Sequence, residues 1–381
     1  WANDRPGRVS YVRGVVRVGV PVLAASVVVG VVMGRVDEPV ERGFVLPKVS
    51  APSEPDVVLD HPAPPGLENA PTPEGATPAA HDGERWWNED FRRAENFMLD
   101  WNGGAWRFEN AYRVLDFHSR YINVDRGLRR SWRPPACGCR RLKVWLYGGS
   151  TTWGIGQRDE HTIASELARV ASEHGMTVDV QNRGLPGLHQ WMESDRFAWD
   201  LQVNPRPDLV VFYDGVNDRW WQMGLFDRIL EEFWLEARKP GDDVPPAPRG
   251  ASLPDPPTAP HAGIELAADG VRRWDVARRM SQATSEATGV PVRYVWQPDR
   301  FSRPFESREP HFDTEQENAA RRSSQFAADH LASDVIDLTG ALDDVKGPIF
   351  TDDVHHNERG ARAIAEKMFD ALEPQLRQLA E

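Results

Sequence analysis

Apolar positions along this chain fall into two kinds of run. Five short, nearly continuous ones each end in a turn: RLKVWLYGG from Arg141, VDVQNRG from Val178, DLVVFYDG from Asp208, VPVRYVWQP from Val290 and SDVIDL from Ser333. Continuous apolar runs of this length predict strands covered on both faces. Between them lie stretches with apolar residues at helical spacing, TIASELARVASEHG closed by Gly175, and TEQENAARRSSQFAADHLA. A last helix is predicted from Arg359 or Gly360 to Leu379. Strands alternating with helices predict an α/β fold, a parallel sheet of about five strands with helices on both faces. In such sheets ligands bind beyond the carboxyl ends of the strands.

Upstream, ERWWNEDFRRAENFMLDWNGGAW predicts one or two short helices, and AYRVLDFHSRYINVDRGLRRSW alternates like strands around a turn at Gly127. Residues 84–140 therefore read as an aromatic-rich extension packing on a core domain of residues 141–381. Residues 35–83 are rich in Pro, Ala, Glu and Ser and predict an extended linker. A second Pro-rich stretch, Pro240–Gly263, reads as either a lid or an inserted loop. From Val18 to Gly34 run 17 residues without a charge, bracketed by Arg17 and Arg35. That length suits a transmembrane signal anchor whose arginines snorkel outward. A signal peptide removed after export is the alternative, disfavoured because no A-x-A site follows. Arginines crowd the N-terminal side, so residues 1–17 read as a cytoplasmic tail and the remainder as extracytoplasmic.

Composition narrows the classes. At 40% hydrophobic and 27% charged residues, the 381-residue chain can bury a core. Its two cysteines exclude a disulfide scaffold; Cys137 and Cys139 read either as loop thiols without a catalytic part or as a short-loop disulfide. Residues 1–35 carry a net charge of +4, leaving −17 on the rest, so the core lacks the basic face that nucleic-acid binding requires.

The chemistry gathers where predicted strands end. Gly148-Gly149-Ser150-Thr151-Thr152-Trp153 follows the first strand, Asn182-Arg183-Gly184-Leu185-Pro186-Gly187 the second, and Gly215-Val216-Asn217-Asp218 the third. Asp352-Asp353-Val354-His355-His356-Asn357 precedes the last helix. A serine at a strand-to-helix junction can present its Oγ as a nucleophile if a base reaches it. His355 is the candidate base, and Asp352, three residues earlier, can fix its tautomer. The Ser150 and Gly187 N–H groups and the Asn217 amide can converge on an oxyanion. No lysine precedes Ser150 or Thr151, which excludes a phosphate-binding loop, and Thr152 stands where a G-x-S-x-G elbow needs glycine. The paired histidines and aspartates lack a further ligand cluster, so no metal is expected.

Together these pieces resemble the four blocks of the SGNH or GDSL-type hydrolases. Ser150 in YGGSTTWG matches the nucleophile block, with Gly149 where the older motif has an acidic residue. Gly187 matches the second block, Asn217 in GVND the third, and Asp352 with His355 the D-x-x-H block. Asp353 with His356 is a second register for the last. The run Tyr121-Ile122-Asn123-Val124-Asp125-Arg126-Gly127-Leu128-Arg129 extends the resemblance upstream. The resemblance implies a three-layer α/β/α sandwich of flavodoxin-like type. It also implies a cofactor-free serine esterase with Ser150, His355 and Asp352 as triad and Ser150, Gly187 and Asn217 as oxyanion donors. The expected substrate is an ester, an acylated envelope glycan first among the candidates, and Trp153, Trp220 and Gln297 are candidate contacts to it. An acyltransferase, a lipase or a thioesterase would use the same site; an inert anchored binding module is the reading from another class.

Overall fold

A computed structural model describes residues 77–99, 106–107, 113–114, 116–220, 262–303 and 315–381. It opens with helix α1 (Glu89–Leu99), the paired strands β1 (Trp106–Arg107) and β2 (Arg113–Val114), and three short strands, β3 (Phe117–His118), β4 (Asn123–Asp125) and β5 (Leu128–Arg129). Alternation then begins with β6 (Arg141–Gly148), the single-turn α2 (Ser150–Trp153), α3 (Ile163–Glu173) and β7 (Thr177–Asn182). Next come α4 (Gln190–Val203), β8 (Leu209–Asp214), α5 (Val216–Trp220) and α6 (Ala262–Thr288). The chain closes with β9 (Val292–Trp296), α7 (Glu315–Asp329), β10 (Val335–Asp337) and α8 (Glu358–Ala380).

The main sheet has the order β10-β9-β8-β6-β7-β5-β4-β3. The five strands from β10 to β7 are parallel, and counted along the chain their order is the doubly wound 2-1-3-4-5. Side chains of successive residues leave a strand on opposite faces, and both faces are covered. Leu142, Val144 and Leu146 of β6 pack with Val178, Val211 and the apolar sides of α3 and α8. Trp145 and Tyr147 point the other way, joining Phe212, Tyr294 and Trp296 with Phe197 of α4 and Trp274 of α6. The expected parallel sheet between two helix layers is therefore observed.

Residues 84–140 do more than pack on that core. β5 pairs antiparallel with β7, so β5, β4 and β3 continue the sheet at its edge. α1 meanwhile buries Phe91, Ala94, Phe97 and Met98 against Trp153, Leu185 and Leu188. Contacts with the core also lie before the expected boundary at Glu84. Residues 79–81 form a turn with Ala80 and His81 buried, and Asn357 Nδ2 donates to Ala80 O at 2.7 Å. The tail, the anchor and residues 35–76 of the linker lie outside the described residues, as do residues 240–261 of the second Pro-rich stretch; Ala262 and Gly263 open α6. Among the described residues no helix is long and apolar enough to cross a membrane. Cys137 and Cys139 are joined in a disulfide.

One buried side chain ties extension to core. Arg129 of β5 is 2% exposed; its Nη1 donates to Trp153 O (2.9 Å) and Gly154 O (2.7 Å), and its Nη2 to Gln157 O. Its Nε pairs with Asp159 at 3.0 Å, and Asn123 Nδ2 donates to the other Asp159 oxygen at 2.8 Å. Burial lifts the Asp159 pKa to about 6 against the pull of Arg129 and Asn123. Removing one member of a buried pair strands the other. Arg129→Leu should accordingly cost about 3–5 kcal/mol of unfolding free energy in urea titrations. Replacing Arg129 and Asp159 together with leucine should cost less than Arg129→Leu alone.

Candidate active site

Ser150 opens α2 directly beyond the end of β6, and Asn217 follows the end of β8, the neighbouring strand on one side. Gly187 follows β7, the neighbour on the other side. The 2-1-3-4-5 order reverses direction at β6, so these three turns meet where such sheets form their ligand crevice. The approach is close: a Cβ on Gly149 would lie 2.3 Å from Asn217 Nδ2 and 3.2 Å from Leu188 O. Asn217 cannot yield, because its Nδ2 donates to Leu188 O at 2.6 Å. That contact gives a physical reason for glycine at 149, where the name-giving motif has an acidic side chain. Gly187 has φ +78°, a left-handed value that favours glycine in the turn.

The fourth segment completes the arrangement. His355 Nε2 lies 2.7 Å from Ser150 Oγ, and His355 Nδ1 lies 2.6 Å from Asp352 Oδ2. With Nδ1–H donating to the carboxylate, Nε2 is left to accept from the serine hydroxyl. The other Asp352 oxygen accepts from the N–H groups of Val354 (2.8 Å) and His355 (2.7 Å), locking the carboxylate to the turn. Thr351 closes that turn, its N–H and Oγ both donating to His355 O at 2.8 and 3.0 Å. Burial pushes the Asp352 pKa up, but the hydrogen bond and charge of His355 and the two backbone donors outweigh it, leaving Asp352 below its ordinary value. The second register is not the one brought to the serine. His356 is buried, accepts from Gln157 Nε2 at 3.0 Å and has its pKa pushed down by burial to about 4. Asp353 instead pairs with Arg300 at 2.9 Å.

The expected substrate contacts fare differently. Trp153 is corrected: its indole is fully buried against α1 under the Arg129 guanidinium and has no face for a ligand. Gln297 is 5% exposed, and its Oε1 accepts from Thr151 Oγ at 2.9 Å, so it braces the serine's helix. The Trp220 side chain lies outside the described residues. Asn182 does work that sequence reading did not give it. Its Nδ2 donates to Thr152 O at 2.8 Å, capping α2, while its Oδ1 accepts from Gly184 N. Among the described residues no group of three or more His, Cys, Asp or Glu could hold a metal ion.

Behind Asn217 sits a group of carboxyls that no motif announced. Glu193, Asp214 and Asp218 are all buried. Asp218 Oδ1 accepts from the N–H of Gln190 at 3.1 Å, capping α4 in place of the side chain of His189. Glu193 and Asp214 are neighbours, and burial together with adjoining acids disfavours their ionisation. Burial is the first cause raising all three, to about 8 for Glu193 and about 7 for Asp218, and neighbouring acids add to it at Glu193 and Asp214. A folded-state pKa above the unfolded one means that the native protein holds more protons, so these groups' contribution is full at low pH and is lost as pH rises through the folded values. Melting temperature should therefore fall between about pH 5 and 8. Glu193→Gln keeps the shape and cannot ionise, and should flatten that decline.

No protein-family model matches this chain, and neither does any curated protein. Among solved structures, the psychrotrophic esterase EstA from Pseudoalteromonas sp. is 13% identical, covering 62% of this chain and 99% of its own, with a TM-score of 0.35. A lipolytic G-D-S-L family member from Veillonella parvula is 16% identical over 61% and 99%, at 0.34. The family 3 carbohydrate esterase of Clostridium thermocellum is 15% identical over 64% and 100%, also at 0.34. Likeness of that degree assigns neither family nor substrate.

Proposed function

We propose that this chain is a serine esterase of the SGNH or GDSL type, hydrolysing a short acyl ester carried by an extracytoplasmic carbohydrate or envelope substrate. The observation that carries the reading is the continuous run of short contacts from Asp352 through His355 to Ser150 Oγ. In the proposed reaction Ser150 Oγ attacks the acyl carbonyl as His355 Nε2 takes its proton. The Asp352 carboxylate holds the ring and balances the imidazolium. Negative charge moves to the carbonyl oxygen, where the N–H groups of Ser150 and Gly187 and the Asn217 amide would receive it. Ser150 begins a helix, so its N–H has no partner within that helix. Asn217 spends one amide proton on Leu188 O and has a second for the oxyanion. Collapse expels the alcohol, which takes the proton from His355. Water then repeats the sequence on the acyl-serine and releases the acid. No metal or organic cofactor enters this scheme.

The acetyl-type chain length and the envelope location are part of the proposal. The uncharged run Val18–Gly34 with arginines on its N-terminal side supports an anchor that leaves the core domain outside the membrane. An acyltransferase would share every step up to the acyl-serine and differ only in using a sugar hydroxyl in place of water.

The test is hydrolysis of p-nitrophenyl esters of rising chain length by the full chain and by Ser150→Ala. We expect turnover of the acetate, falling with chain length, and a loss of about 10³-fold or more in the variant with an unchanged melting temperature. Preference for long chains would move the reading to a lipase. Labelling of Ser150 by a fluorophosphonate without turnover of any ester would favour the transferase. Complete inertness to the probe would leave the binding-module reading.

A further inference from the structure

The inference rests on the serine-esterase reading and concerns the N-terminal extension. α1 packs on both turns that frame the serine, through Trp153 on one side and Leu185 and Leu188 on the other. From that helix Glu95 reaches past the apolar contact, and its Oε1 accepts from the N–H of Gly156 at 2.5 Å. Gly156 belongs to the turn that leaves the serine's helix, where Gly154 N and Ile155 N both donate back to Ser150 O. We propose that Glu95 is a positioning residue of the active site: its acceptor, on a different element from Ser150 and Asp352, fixes the turn behind the nucleophile.

The surroundings suit that role. Asp352 and His356 face His355 from its own loop and Ser150 from α2; Arg129 and His81 stand beside Glu95. Arg129 is committed to Asp159 and to three backbone carbonyls, and His81 Nδ1 pairs with Glu84 at 2.8 Å while its ring stacks on Trp87. His356 is neutral through burial. Burial raises the Glu95 pKa, while Gly156 N–H, Arg129, His355 and His81 favour the charged form.

The experiment measures the rate at which a fluorophosphonate labels Ser150 in the full chain across pH, for wild type, Glu95→Gln and Glu95→Ala, with melting temperatures alongside. This readout needs no knowledge of the natural substrate. Glutamine retains an acceptor for Gly156 N–H but no charge. It should label at close to the wild-type rate and stability. Alanine removes the acceptor and should slow labelling about three- to tenfold. Alanine that labels at the wild-type rate, however early it melts, or glutamine as slow as alanine, would reduce Glu95 to a packing role and overturn the proposal. Wild type that never labels at Ser150 would overturn the esterase reading itself, and this inference with it.

Discussion

A nucleophile on a one-turn helix has to be held from behind. α2 spans only Ser150–Trp153, so hardly any of its carbonyls can find a partner within the helix. Left bare and buried, each would cost about 1–3 kcal/mol and would let the serine wander. The chain answers with side chains from two adjacent strands. Asn182 of β7 caps Thr152 O; Arg129 of β5 takes Trp153 O, Gly154 O and Gln157 O. These two residues are partners in the sheet register, so one pair in the antiparallel edge sets the position of the serine. A guanidinium suits the task because its donors form a rigid planar fork and it keeps its charge when buried.

That requirement explains why the extension cannot be separated from the core. Arg129, Asn123, Glu95 and the apolar side of α1 all come from residues before Arg141, yet each acts on the turn between Ser150 and Asp159. The run from Tyr121 to Arg129 then has a physical content. Asn123 and Arg129 clamp Asp159 from both sides, and the turn at Arg126-Gly127, both with positive φ, brings the two strands together. Sequence alone presented this run as a companion of the catalytic blocks; the structure supplies its mechanical role.

What was legible and what was not divides along lines of burial. The five parallel strands stood out as short runs of β-branched and aromatic residues with few polar interruptions, wholly buried in β8, and three of the four site segments fell at strand ends, the fourth before the last helix. α4 was not legible, for the opposite reason. Its inward side carries Glu193, Ser194, Arg196 and Asp200, all buried, while Trp191 and Trp199 are 48% and 62% exposed, so the usual apolar stripe is inverted. α6 hides similarly, burying Arg278, Ser281 and Ser285 and starting inside a stretch read as Pro-rich loop. Trp153 misled because nearness to Ser150 in sequence carries no information on which side α1 covers. The choice between Asp352-His355 and Asp353-His356 was legible in the spacing, since Asn357 and Gly360 stand two and five residues after His355, and burial of His356 gives its physical reason.

The inverted helix has a further consequence for the site. Asp218, next to Asn217, caps α4, and burial of Glu193 of α4 beside Asp214 at the end of β8 raises both above the ordinary carboxylate range. The oxyanion-side turn is thus fastened to the rest of the molecule through buried acids, Asp218 as an acceptor that serves in either protonation state and Glu193 with Asp214 as a pair that burial favours neutral. On the other side, the serine's turn is fastened by the donors of the Arg129 fork. The two halves of the crevice are therefore held by supports of opposite kind, acidic on one side and guanidinium donors on the other. Rising pH ionises the buried Glu193–Asp214 pair and so loosens the oxyanion side of the crevice first. The alkaline end of the site's range is thus set by its scaffold.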